Sequence, residues 1–135
     1  MPFETMYKSD FYQLEADFER GLLKALWLRP VNENELKIGG MKLYEVLRDT
    51  KLERVVANAQ SMTALTTETK EWMSASFYKL LSQTELKKLA RVLPVNLFHQ
   101  LALESVITRA EALGNIQFQT RNFSDQESAL SWLFA

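Results

Sequence analysis

The chain changes its hydrophobic rhythm at Pro30, and that change limits the folds open to it more than any single motif does. Before Pro30, apolar side chains recur at every second residue. From Phe11 to Phe18, Tyr12, Leu14, Ala16 and Phe18 alternate with Gln13, Glu15 and Asp17, which is the period of a half-buried strand. Glu19-Arg20-Gly21 supplies a turn, and Leu22 to Leu28 follows with Leu23, Ala25 and Trp27 on one side. The two segments predict an antiparallel hairpin, with Phe3 to Tyr7 as a third strand.

Beyond Pro30 the pattern alternates between helix and strand. Asn32-Glu33-Asn34-Glu35 has the spacing of a capping box and predicts a helix to about Thr50, with Leu36, Gly40, Leu43, Tyr44 and Leu47 as its core stripe. Gly39 and Gly40 each weaken a helix interior by about 1 kcal/mol relative to alanine, so close approach of this helix to the sheet is expected. A hinge or a ligand contact is the other reading of the pair. Strands are predicted at Arg54 to Ala59, Lys88 to Leu93 and Ile116 to Phe123, separated by helices over Thr67 to Ser82 and Asn96 to Leu113. Such an alternation is that of parallel βαβ units. A last helix from Asp125 onward opens on a second capping box, Ser124-Asp125-Gln126-Glu127, and turns Ala129, Leu130, Trp132 and Leu133 toward the sheet. The predicted class is α/β: one domain over residues 1–135, its mixed sheet beginning with an antiparallel hairpin and continuing through βαβ units.

At 135 residues the chain suits a single hydrophobic core. Sixteen basic and 17 acidic side chains give a formal charge of −1, without the basic footprint that a nucleic-acid partner requires. The absence of cysteine excludes disulfides, thiolate metal sites and a cysteine nucleophile, and it fits a reducing compartment. Met1 to Lys8 has neither the basic start nor the apolar run of a signal peptide, and no apolar stretch approaches membrane-spanning length. The expectation is a cytoplasmic protein without membrane insertion.

No glycine-rich phosphate loop, paired-histidine spacing or acidic calcium loop occurs, so neither a cofactor nor a metal is expected, and no catalytic set is assigned. The single histidine, His99, falls beside a helical stripe of Phe98, Ala102, Val106 and Ala110, where a boundary residue is the plainer reading than a base. Open α/β sheets bind ligands at the carboxyl ends of their parallel strands, where helix starts near Thr67, Asn96 and Ser124 should converge. The polar groups available there are Asn58, Gln60, Ser61, Arg91 and Asn122. Within Leu89-Ala90-Arg91-Val92-Leu93, the arginine must be paired, exposed at an edge or directed into a cavity, and an edge or surface ion pair is the plainer outcome. Gln117, Gln119 and Arg121 mark a solvent-facing side of the last strand, and Glu85, Lys87 and Lys88 a solvated turn. Trp72, Phe77 and Tyr78 give one helix more apolar perimeter than a single sheet face needs. Core packing is the plainer reading of these rings; the second, which Phe134 near the carboxyl end also fits, is a homodimer face.

From Arg54 onward the chain resembles the STAS-like family, in its SpoIIAA-like branch. The resemblance rests on Val55-Val56-Ala57-Asn58-Ala59 leading to Glu71-Trp72, on Lys87-Lys88-Leu89-Ala90-Arg91-Val92-Leu93-Pro94 followed by Leu97-Phe98, and on Arg121-Asn122-Phe123-Ser124-Asp125 followed by Ala129-Leu130-Ser131-Trp132-Leu133. It implies a small bacterial protein with helices on a mixed sheet. Some relatives, the anti-sigma-factor antagonists, bind a protein partner and are switched by phosphorylation of a serine at a helix start; the CRAL-TRIO-related domains hold apolar ligands. The equivalent stretch, Asn58 to Thr67, lacks the Asp-Ser-Ser-Gly pattern of the antagonists. Ser61 and Thr63 are its nearest hydroxyls, Thr66 or Thr67 suits a helix cap, and no regulatory phosphorylation is expected. The functional expectation is a non-enzymatic binding or regulatory module acting on a protein partner or an apolar small molecule. The alternative is a small enzyme or polar-ligand binder that uses Asn58, Gln60, Ser61 and Arg91.

Overall fold

The computed structural model describes residues 3–135; Met1 and Pro2, where the leader reading begins, lie outside the described residues. Its elements run β1 (Glu4–Lys8), β2 (Tyr12–Asp17), β3 (Leu22–Trp27), α1 (Glu33–Thr50), β4 (Arg54–Asn58), α2 (Thr67–Trp72), a π-helical turn (Met73–Phe77), α3 (Tyr78–Leu81), β5 (Lys88–Val92), α4 (Leu97–Ala112), β6 (Gln119–Phe123) and α5 (Gln126–Leu133). The strands form one six-stranded sheet in chain order. β1, β2 and β3 are antiparallel, as a strand joined to the next by a tight turn must be. From β3 onward each connection passes through a helix, and β3, β4, β5 and β6 are parallel.

The hairpin ends one residue earlier than the alternation suggests. The Asp17 carboxylate accepts from the backbone N–H groups of Glu19 and Arg20 at 3.1 and 3.2 Å and from Arg20 Nε at 2.6 Å, so the chain turns there, with Gly21 at φ +66°. Asp17 is only 1% exposed, whereas Phe18, expected inside, is 48% exposed because it already belongs to the turn. The hydrogen bond and charge of Arg20 hold the Asp17 carboxyl below its ordinary range.

Right-handed crossovers in a sheet that follows chain order bring successive helices to the same face. Here α1, α2, α3 and α4 pack against one another, and α5 packs on β4, β5 and β6. The pleat distributes the core between these layers. Val55 and Leu89 on β4 and β5, and Leu93 just past β5, belong to the large cluster under the crossover helices, with the half-buried Ala57 packed against it, while Val56, Ala90 and Val92 join Ala129 and Leu133 of α5. Burial on both faces is why these strands read as nearly continuous apolar runs.

Local chemistry sets the helix boundaries. At α1 the capping box is complete: Asn32 Oδ1 accepts from Glu35 N at 2.8 Å and Glu35 Oε1 accepts from Asn32 N at 3.1 Å. Gly39 and Gly40 are both buried in this helix, and a Cβ at Gly39 would lie 2.6 Å from Trp27 Cη2. Close approach to the sheet therefore accounts for Gly39, whereas a Cβ at Gly40 would meet Phe77 and Trp72, each at 3.1 Å, on the neighbouring helical segment. The second capping box does not form. Asp125, one residue after the predicted cap Ser124, is the N-cap of α5 and accepts from Ser128 N at 2.8 Å. β6 begins at Gln119 and not Ile116, and the preceding Phe118 is buried in the core beside Tyr78. On α4 the buried seam is Leu103, Val106, Ile107 and Ala110. Followed back one turn, it arrives at the half-buried His99 and Gln100, leaving Phe98 79% exposed and off the stripe.

Candidate functional site

The residues expected to share the carboxyl edge divide between the two faces of the sheet, because side chains alternate along each strand. Asn58 faces α5, where its Nδ2 donates to Gln126 Oε1 and Gln60 Oε1, both at 3.2 Å, and its Oδ1 accepts from Gln60 N at 3.0 Å. Gln60 Nε2 donates to Ser124 O at 3.3 Å. This group fastens the end of β4 to the start of α5 and satisfies its own polar atoms. Ser61 and Thr63 are exposed in the following loop, and Thr66, not Thr67, caps α2 by accepting from Thr69 N at 3.1 Å. The proposed meeting of Asn58, Gln60 and Ser61 with Arg91 at one polar site does not occur.

Arg91 lies on the opposite face, and it is 4% exposed. That corrects the expectation of an edge or surface ion pair: β5 is flanked by β4 and β6, and Tyr78 of α3 and Leu103 of α4 lie over the side chain. Its Nε donates to Asn122 Oδ1 at 3.0 Å, Nη1 to the Tyr78 hydroxyl at 3.3 Å and Nη2 to Leu103 O at 2.9 Å. Asn122 is the parallel neighbour of Arg91 in the ladder, so the predicted set divides into two bonded pairs, Arg91 with Asn122 on this face and Asn58 with Gln60 on the other. No carboxylate among the described residues pairs with this guanidinium.

Arg91 lines a cavity of about 50 Å³ inside the core, together with Tyr12, Trp27, Gly40, Met62, Met73, Phe77, Tyr78 and Leu103 among others. By volume it holds roughly three to five non-hydrogen atoms, each water-sized group needing about 10–15 Å³. Its walls come from β2, β3, α1, β4 and the loop after it, the π-helical turn, α3, β5 and α4. The two phenols, Tyr12 and Tyr78, and the guanidinium are the polar groups set in an otherwise apolar lining. Burial, and after it the nearby Tyr78, push the Tyr12 phenol well above the usual tyrosine range, so it stays a neutral O–H donor.

The helix over residues 67–82, predicted as continuous, is interrupted here. Tyr78 N donates to Met73 O, a five-residue step that widens the turn and places Met73 and Phe77 on the cavity wall. The altered ladder is supported from outside. Asn115 Nδ2 donates to Ser74 O at 3.0 Å and to Ala75 O at 3.4 Å, and the buried Ser74 hydroxyl donates to Val106 O at 3.1 Å or Lys70 O at 2.9 Å. Single π-helical turns within α-helices recur at functional sites.

Comparison with protein-family models, characterised proteins and solved structures returns no match.

The cavity accounts for the aromatic surplus that pointed to a homodimer face. Phe77 and Tyr78 are buried, and the half-buried Trp72 stacks on Phe77 with ring centroids 5.4 Å apart. These rings are spent within the chain. Phe134 is 39% exposed, with the Arg20 and Arg54 guanidinium groups 5.5 and 5.3 Å from its ring centroid. Among the described residues no three histidines, cysteines or carboxylates form a group suited to a metal, and no helix is long and apolar enough to cross a membrane. His99 is not part of the cavity wall. Sequence reasoning missed Tyr12 and Met62 as cavity residues and offered Tyr78 only as core packing or an interface, since strand and helix periodicity mark a side chain as inward without showing what it meets there.

Proposed function

We propose that this chain is a cytoplasmic, non-enzymatic binding module that holds a small molecule in the core cavity beneath Arg91. One observation carries the reading: a buried guanidinium with no carboxylate partner borders an apolar space that the surrounding side chains leave unfilled. A buried charge without a partner costs stability, so its retention favours a role in binding. The polar groups at the cavity, a guanidinium and two phenol hydroxyls, all carry hydrogen-bond donors, which suits holding a ligand. The resemblance to the STAS-like family agrees, since the relatives named above work by binding.

Affinity should be modest. At the ceiling of about 1.5 kcal/mol per non-hydrogen atom, a four-atom ligand gains at most about 6 kcal/mol, a Kd of some tens of micromolar. The test is a panel of charged and neutral molecules of up to about six non-hydrogen atoms, offered at millimolar concentration. Binding is read from the methyl resonances of Met62, Met73 and Leu103. Saturable shifts confined to these methyls are expected. A panel in which no molecule moves them, or in which shifts map to the exposed surface, overturns the proposal.

A further inference from the structure

We propose that the occupant is a short aliphatic monocarboxylate, gripped by Arg91 and Tyr78. This rests on the cavity being a binding site and goes on to assign the chemistry of what it takes.

The hydrogen-bond polarity of the site carries the argument. A guanidinium has five N–H donors and no acceptor, and three of those of Arg91 are directed to Asn122 Oδ1, Tyr78 Oη and Leu103 O. That leaves one N–H on each terminal nitrogen without a partner among the described residues. Two parallel N–H bonds on the terminal nitrogens form the fork that a carboxylate accepts bidentately. The Tyr78 hydroxyl accepts from Arg91, which leaves its own O–H to donate. A third donor is thus available beside the fork.

Charge and shape point the same way. The site holds a buried positive charge, 4% exposed, with no anionic side chain paired to it among the described residues, so a monoanion completes it, whereas a neutral ligand leaves the charge unbalanced. The remaining wall is apolar, with Leu36, Leu43, Met62, Phe77 and Leu81 around the space. A methyl or ethyl group is stabilised there, whereas a fully polar anion such as nitrate would set its third oxygen against a wall whose one further donor is the Tyr12 phenol. A volume of about 50 Å³ limits the ligand to two or three carbons.

The test titrates the full-length protein with formate, acetate, propionate, butyrate and hexanoate, and with acetamide and propionamide as neutral counterparts of the same shape. Sodium nitrate and sodium chloride are competitors, and the Met62 and Met73 methyl signals report occupancy. The expected result is tightest binding at acetate or propionate, at least tenfold tighter than the matching amide, and a loss of at least tenfold in Arg91→Met. Amides binding as tightly as carboxylates would overturn the carboxylate assignment and leave the cavity reading standing. Nitrate or chloride binding as tightly as acetate overturns it as well, in favour of a general anion site. No binding by any of them, carboxylate or amide, removes both. The carboxylate-to-amide ratio is measured on the unaltered protein, so the assignment remains testable if the variant does not fold.

Discussion

The paired glycines of α1 should respond unequally to the same substitution, although they are neighbours in one helix and both are buried. Alanine in place of glycine in a helix interior gains about 1 kcal/mol from propensity. At Gly39 the added Cβ would lie 2.6 Å from Trp27 Cη2, 2.9 Å from Trp27 Cζ3 and 3.1 Å from Tyr12 Cδ2. Neither ring can yield readily, because Trp27 and Tyr12 are buried against each other with centroids 4.1 Å apart. Overpacking of this kind costs about 1–3 kcal/mol, and such short contacts place Gly39→Ala at or beyond the top of that range. The net expectation is a loss of about 2 kcal/mol, or roughly 6–10 °C in Tm for a domain of this size. At Gly40 the nearest atoms, Phe77 Cε1 and Trp72 Cη2, are 3.1 Å away, and Trp72 is only half-buried. A small displacement of that ring relieves the contact, so Gly40→Ala should stay within about 1 kcal/mol of the parent. Urea unfolding of both variants, checked for unchanged m, measures the difference. If Gly39→Ala proved as stable as Gly40→Ala, close approach to Trp27 would not be the reason for the glycine.

Three further outcomes follow from the structure. Arg91→Met should leave stability within about 1 kcal/mol of the parent or raise it, because the desolvation cost of the charge leaves with the charge; a loss above about 3 kcal/mol in urea unfolding would make the guanidinium a structural anchor. The folded-state value of Asp17 is lowered from an ordinary 3.8, chiefly by the Arg20 hydrogen bond, so its contribution is complete above that value and is lost as pH falls through the lowered one. Asp17→Asn should accordingly flatten the pH dependence of thermal stability below about pH 4, and an unchanged acid limb contradicts the pairing. Asn32→Ala should lower stability by about 1 kcal/mol in the same urea assay, since it removes the acceptor for Glu35 N; no change would mean that solvent replaces the cap.

Much of this architecture was legible in the sequence because it depends on local chemistry. The change of rhythm at Pro30 marks where antiparallel pairing through tight turns gives way to helical crossovers, and the Asn32 box and the Thr66 cap are set by side chains bonding to amides a few residues away. Where prediction failed, a competing local group won. Asp17 ended β2 before Phe18 could face inward, and Asp125 displaced Ser124 as the cap of α5. The site was harder to see, because it depends on which face of the sheet each residue meets. Asn58 and Arg91 sit at neighbouring levels of adjacent strands, since Asn58 pairs with Val92, and that one-residue offset puts them on opposite faces. Arg91 was recognisable as a residue needing an explanation. Its partners Tyr78 and Leu103 come from helices whose packing the strand sequence does not encode.

The most direct measurement is the electron density of the cavity in crystals of the protein grown with sodium propionate. The account predicts a buried Arg91 bonded to Tyr78 and Leu103, with planar density within about 3 Å of its terminal nitrogens and an apolar tail toward Met62 and Phe77. A cavity that stays empty at saturating propionate, or an Arg91 side chain turned out to solvent with its place taken by core residues, would contradict it.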